Sequence, residues 1–318
     1  FYEPALRIAA DVLLNPAFPE SELAREKALQ VAAIKRSYDS STERPMQLFR
    51  SAIYGDHPYG LPELGTEASL ETLDRAALQR WWKQAVAADR ALIVVVGDAA
   101  AEDVRRVMQA RLAGLSRSAG PLALPPPPRL PSSPREALEQ RDRKQTAMVI
   151  GFPTVPPASA DWPAFRLMQA VTTGLSGTFF AELRGRQSLA YTVSAVPISF
   201  ASQGAFRGYL AGDASKERQA HAALLKEMRR LQDDGITAEE VARAQAYYAG
   251  SMRLSLETNA SRAADHARSY VLGLPLDHTE RTLRLMPSLG VDDLRSVARR
   301  YLGGENYVYA AVRGKASP

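Results

Sequence analysis

Apolar residues recur at helical spacing along most of this chain, broken by a few short runs with the period of a strand. Pro4 to Leu14 carries the helical pattern and stops at Asn15-Pro16. Pro19-Glu-Ser21 opens a long helix to about Tyr38, with acidic residues in the first turn where the helix dipole favours them. A helix is predicted from about Pro45 to Ile53, and Tyr54 to Gly60 is turn chemistry. Asp74 is placed to cap the helix carrying Trp81 and Trp82. Ala91 to Val96 reads as a buried strand and Ala101 to Leu115 as an amphipathic helix. Further on, Gln145 opens a strand, Trp162 to Val171 is helical, Gly174-Leu-Ser-Gly177 breaks it, and Phe179 to Arg186 is a short helix. Leu189 to Phe200 and Gln203 to Ala211 are predicted as paired strands joined around Ala201-Ser-Gln. Helices follow at Ser215 to Gln232, Thr237 to about Glu257, Arg262 to Leu272 and Asp292 to Tyr301, and a strand near Tyr307 closes the chain. Thr237 with Glu240 fits a capping box.

The pattern repeats. Residues 22 to 37 match residues 240 to 255, with Glu22, Arg25 and Ser37 aligned on Glu240, Arg243 and Ser255 at an offset of 218. Leu78, Trp81 and the run at Ala91 parallel Leu294, Tyr301 and the run at Tyr307. So long a period implies two copies of one domain rather than a solenoid. The expected class is α+β: two tandem layered domains, each a mostly antiparallel sheet with helices on one face. The expected boundaries are residues 1–115 for the first copy, 116–144 for a proline-rich linker and 145–318 for the second. Four consecutive prolines, Pro125 to Pro128, support the linker as an extended spacer. The second copy carries more residues ahead of Glu240 than the first does ahead of Glu22. The expectation is therefore that the first copy lacks roughly 70 residues at its front.

Composition narrows the function classes. The chain has 318 residues, 46% of them apolar and 24% charged, values ordinary for a soluble globular protein. No apolar run approaches a membrane span, and no Cys is present, so neither disulfides nor thiolate metal ligands are available. The net charge of +5 is carried by arginines scattered beside Glu and Asp on helices, as in Arg25/Glu26. That is a solvated, ion-paired surface and not a nucleic-acid stripe.

None of the four histidines, His57, His221, His266 and His278, is followed at i+3 or i+4 by another His, Asp or Glu that would aim two ligands at one metal. No Gly-x-Ser-x-Gly elbow and no phosphate loop is present. Gly174-Leu-Ser-Gly177 could offer backbone amides to an anion, but a tight connection between two packed helices is the favoured reading. The segment from Phe180 to Tyr191 passes from a helix through Gly185 into a strand, with Arg184 at the helix end and Tyr191 at the strand start. A guanidinium and a phenol so held present two donors to a peptide carbonyl or a carboxylate. On the residues alone, ordinary packing at an element junction is the favoured reading of the pair.

These residues carry a resemblance. Phe180, Leu183, Arg184, Leu189, Ala190 and Tyr191 resemble the C-terminal signature of the pitrilysin/insulinase family of inverted zinc peptidases, with Ser188 where Gly is usual. Leu13 to Glu26 and Tyr54 to Thr66 are similar to the later part of that family's N-terminal domain. The resemblance covers essentially the whole chain. It puts the family's His-x-x-Glu-His ahead of Phe1, and its distant zinc ligand seven residues after Glu26, where this chain has Ala33. A methyl group cannot coordinate a cation. Glu26 stands where the family has a supporting carboxylate.

The resemblance therefore implies a metal-free, non-catalytic subunit of a heterodimeric zinc endopeptidase acting on peptides or unfolded polypeptides. It implies no catalytic or metal-binding residue in this chain, Arg184 and Tyr191 as substrate-binding residues, and zinc in a homologous partner subunit. A homodimer is the alternative assembly. Two other readings stand beside it: a scaffold subunit that binds no peptide, and a zinc peptidase with a substitute ligand. Nucleic acid and membrane are not expected partners. Ala- and Arg-rich usage suggests a bacterial source, and the expected location is periplasmic or exported, with the cytoplasm as the alternative.

Overall fold

The structure is a computed structural model that describes residues 2–118, 120, 124–174, 177–233 and 235–315. Phe1, the Pro121-Leu122-Ala123 part of the proline-rich stretch, and Leu175-Ser176 of the predicted helix break lie outside the described residues. The chain divides into two compact units, Phe1–Arg36 with Pro62–Leu124, and Ser37–Leu61 with Pro125–Pro318.

The first unit is helical. It holds α1 (Tyr2–Leu14), most of α2 (Glu20–Asp39), α4 (Glu67–Glu71), α5 (Arg75–Ala85) and α6 (Ala101–Arg111). Local chemistry explains the ends. Asp74 accepts a hydrogen bond from the Ala77 amide at 2.6 Å, as a helix cap should. Trp82 donates its indole N–H to the Leu13 carbonyl at 3.0 Å and meets Phe18 edge-on at 5.8 Å. The expected strand at Ala91–Val96 is not formed among the described residues: no ladder partner is present, and Leu92, Ile93 and Val95 are exposed. Apolar content gives a segment β-propensity, but only a neighbouring strand satisfies its backbone.

The second unit contains the sheet. Its strands are β1 (Arg135–Gln140), β2 (Gln145–Thr154), β3 (Thr192–Ser199), β4 (Gly204–Asp213) and β5 (Val308–Arg313), in the order β1-β5-β2-β4-β3. Among the described residues only the β1–β5 pair is parallel. Strand β1 falls inside the span expected to be linker, so the spacer is shorter than the prolines suggested. The helices are α3 (Glu43–Tyr54), α7 (Trp162–Thr172), α8 (Glu217–Arg230), α9 (Ala238–Ser255), α10 (Asn259–Val271), α11 (His278–Leu285) and α12 (Val291–Leu302). The run α2-α3-α4-α5 in the first half recurs as α9-α10-α11-α12 in the second, and Ala91–Val96 holds the place that β5 holds. Thr237 and Glu240 form the expected capping box at the start of α9, at 2.9 and 3.2 Å.

Strand β2 is buried at every position after Gln145, which requires cover on both faces. Met148, Ile150 and Phe152 point into the larger core with Phe206, Leu210, Phe165, Leu224 and Leu294, beneath α7, α8 and α12. Ala147, Val149, Tyr209 and Ala310 point the other way, under Phe49, Ile53 and Tyr54 of α3. Helix α3 comes from the first half of the sequence but packs as a roof on this sheet. Arg44 anchors it to the edge strand through Glu139, at 2.7 Å from Nε and 2.6 Å from the terminal nitrogen, and Arg141 grips the same carboxylate.

Candidate functional site

The segment carrying Arg184 is a π-helix, Phe180–Arg186, whose wide turn is closed by the Gln187 amide on the Glu182 carbonyl at 3.0 Å. Short π segments concentrate at functional sites, because they twist side chains away from an ordinary helical face. Leu183, Leu189 and Ala190 sink into the core and fix the turn. Arg184 and Tyr191 stay outside it, Tyr191 at 57% exposure.

The structure brings the two together. Arg184 Nη1 donates to the Tyr191 backbone carbonyl at 2.8 Å, and its guanidinium lies 5.0 Å from the Phe180 ring centroid. The Tyr191 amide donates to the Ala211 carbonyl at 2.8 Å, so the residue is tied to β4 just before β3 begins. Arg184 pairs with no carboxylate among the described residues. The nearby acid, Glu182, is taken by Gln187 at 2.9 Å and Arg186 at 2.8 Å. Those contacts, the Gln187 hydrogen bond first, hold its carboxyl below the usual range. The result is a cation braced by a carbonyl and an aromatic ring, with spare N–H groups facing solvent beside an exposed phenol. Phe180 under the guanidinium is a contribution that residue-by-residue reading missed; aromatic spacing four residues before Arg184 was the available signal.

Ser188 links the π-helix to the strand with φ of 51°. That left-handed backbone costs a residue with a Cβ about 1–2 kcal/mol, and Gly adopts it freely. Ser188→Gly is therefore expected to raise stability by about 0.5–1 kcal/mol, since Gly also loses more entropy on folding. A thermal melt that moved downward would show that the Ser188 side chain compensates for its backbone.

Strand β3 is an edge of the sheet, yet it is not a free one along its length. Thr173 Oγ1 donates to the Ala195 carbonyl at 2.6 Å and accepts from the Ala195 amide at 3.1 Å. A side chain thus occupies both ladder groups at mid-strand, a device that blocks strand addition there.

The positions implied for metal chemistry lie on α2. Ala33 is half-buried beside the fully buried Ile34, and Glu26 is exposed and paired with Arg25 at 2.9 Å. Among the described residues no three His, Asp or Glu side chains converge. The groups present do not fit a zinc ion, because the implied ligand position offers a methyl and the neighbouring carboxylate belongs to a surface ion pair. The histidines serve elsewhere. His57 Nδ1 accepts the Tyr59 amide at 3.1 Å, His266 bonds the Leu276 carbonyl at 3.0 Å, and His221 packs on Tyr309 at 4.3 Å. Burial lowers the His221 pKa despite Glu136 and Glu217 nearby.

Among the described residues no helix is long and apolar enough to cross a membrane. The chain is 28% identical over 304 residues to an "uncharacterized zinc protease" of Mycobacterium tuberculosis, covering 94% of this chain and 69% of that protein. It is 24% identical over 318 residues to one of Bacillus subtilis, covering 97% and 74%. A crystal structure titled as a peptidase M16 inactive domain, from Pseudomonas fluorescens, superposes with a TM-score of 0.89 at 21% identity, over 100% of this chain and 76% of that one. At that identity the likeness is one of fold. The family model described as "Peptidase M16 inactive domain" matches residues 72–248, more than half of the sequence and the whole Arg184–Tyr191 segment, and the chain belongs to that family.

Proposed function

We propose that this chain is the non-catalytic, substrate-anchoring subunit of a two-chain zinc-dependent endopeptidase acting on peptides or unfolded polypeptides. The observation that carries the reading is the Arg184–Tyr191 contact. It holds an uncompensated guanidinium rigid while leaving its remaining donors, and the phenol, open to solvent. The relatives named as zinc proteases and the vacated ligand position at Ala33 support it. Zinc, in a homologous partner chain, would supply the hydrolytic chemistry. This chain's share is positioning: a peptide carbonyl or carboxylate held by Arg184 and Tyr191 loses freedom before the bond is cut. In well-oriented model reactions such placement is worth roughly 7–11 kcal/mol of barrier.

Arg184→Ala in the reconstituted pair removes a charge-assisted hydrogen bond of about 1.5–3 kcal/mol. We therefore expect kcat/KM on an unfolded peptide to fall about tenfold or more at a temperature where both subunits are fully folded by circular dichroism, the lost Tyr191 bond costing stability only about 0.5–1.5 kcal/mol. Equal kcat/KM for the variant and wild-type pairs would sink the anchoring role and leave a scaffold subunit in its place.

A further inference from the structure

A second feature of the sheet-bearing unit is unrelated to Arg184. A cavity of about 120 Å³ lies among α7, α9, α10 and α11, walled by Trp162, Tyr248, Met252 and Leu272. Its polar lining is unusual in being largely unused. Arg268, Ser269, His278 and Thr282 line it, and their side chains make no hydrogen bond or ion pair among the described residues. Ser269 and Thr282 are nonetheless buried residues. Their hydroxyls open onto the cavity, where a ligand or ordered water can complete them. Arg166 contributes a second guanidinium, bonded to Gln169 at 3.0 Å and 5.6 Å from the Tyr248 ring. Asp265 supplies one carboxylate, held by the Thr279 hydroxyl at 2.7 Å.

We propose that this cavity is a binding site for an amino-acid-sized zwitterion. Its carboxylate would be taken by Arg268 and Arg166 with help from the Ser269 and Thr282 hydroxyls, and its ammonium by Asp265. Size, charge and access all bear on the assignment. A water needs roughly 10–15 Å³ of such space, so the cavity takes a ligand of several heavy atoms and no extended peptide. Two guanidinia against one carboxylate leave one net positive charge at neutral pH. Burial first, then Arg268 and Arg281, push the His278 imidazole below its ordinary range against the pull of Asp265 and Asp277. Arg268 is exposed, which sets the cationic end at the mouth. Opposite charges on one small ligand would satisfy both kinds of idle group, whereas a simple anion would leave the free Asp265 oxygen facing it.

Isothermal titration of the full chain with L-alanine, acetate and inorganic phosphate tests the assignment. Saturable L-alanine binding is expected, weakened at least tenfold by Arg268→Gln and again by Asp265→Asn, with acetate and phosphate weaker than L-alanine. Arg268 is exposed and Asp265 half-buried, and an unchanged melting curve without ligand certifies the fold of each variant. Absence of saturable L-alanine binding overturns the proposal, as does binding indifferent to both substitutions or matched by acetate or phosphate. A variant that melts early is replaced by Arg268→Lys, which keeps the charge, loses the planar fork, and is expected to bind at least threefold more weakly.

Discussion

Phe49→Ala is expected to destabilise the protein by about 3–5 kcal/mol, the range for deleting a buried aromatic ring. Phe49 is fully buried in α3, and it reaches the sheet at a point built to receive it. A Cβ added to Gly151 would sit 2.5 Å from the Phe49 ring, so the missing side chain in β2 is the socket for the aromatic one in α3. The surrounding residues, Val149, Tyr209 and Ala310, belong to strands fixed on both sides and cannot collapse into the void. Urea denaturation measures the loss. The companion change supplies a sharper check. Gly151→Ala alone should cost about 1–3 kcal/mol by overpacking against the ring and the Arg207 Cβ at 2.9 Å, and in the Phe49→Ala background the ring's share of that cost should vanish. Additive losses in the double variant would mean that the ring and the glycine are not partners.

Gly212→Val should cost about 3 kcal/mol and, in the same stroke, loosen the anchoring segment. A side chain on Gly212 would run into the Leu189 backbone carbonyl, and backbone, unlike a flexible side chain, has nowhere to retreat. The displaced stretch, residues 189 to 191, is the one whose Tyr191 amide bonds Ala211 and whose Tyr191 carbonyl holds Arg184. The variant is therefore expected to lower peptide cleavage by the reconstituted pair beyond what its fraction folded explains. Assay at a temperature where both forms are folded separates the two effects. Full activity from a folded Gly212→Val protein would show that the Arg184–Tyr191 geometry does not depend on this packing.

What could be read from the sequence was what depends on neighbours in the chain. The Thr237–Glu240 box and the Asp74 cap are local, and both stand in the structure. The pairing of β3 with β4 followed from alternation and a short connection. Positions settled by distant packing were not legible. Nothing in residues 43–54 says that α3 roofs a sheet whose first strand begins only at Arg135, because its apolar stripe fits any flat apolar surface. Arg135–Gln140, with three charged residues in six, reads as spacer until β5 is beside it. Phe180–Arg186 reads as an α-helix, since the π turn arises from the anchoring of Leu183 and Leu189 and not from a propensity. At the anchoring site the residue types were visible in the family-like motif, but their contact was not. The cavity between α7 and α11 was invisible for a plainer reason: its lining is drawn from residues 157 to 282, and no spacing rule joins them.

The roof formed by α3 also bears on how this molecule can be divided. A fragment cut at the proline run, keeping every strand from Pro125 onward, would still lack residues 43–54 and would bare Val149, Tyr209 and Ala310 to water. Two such fragments would be driven face to face through that stripped surface, so dissection of this protein belongs ahead of Ser37, with the helix and its sheet inherited together.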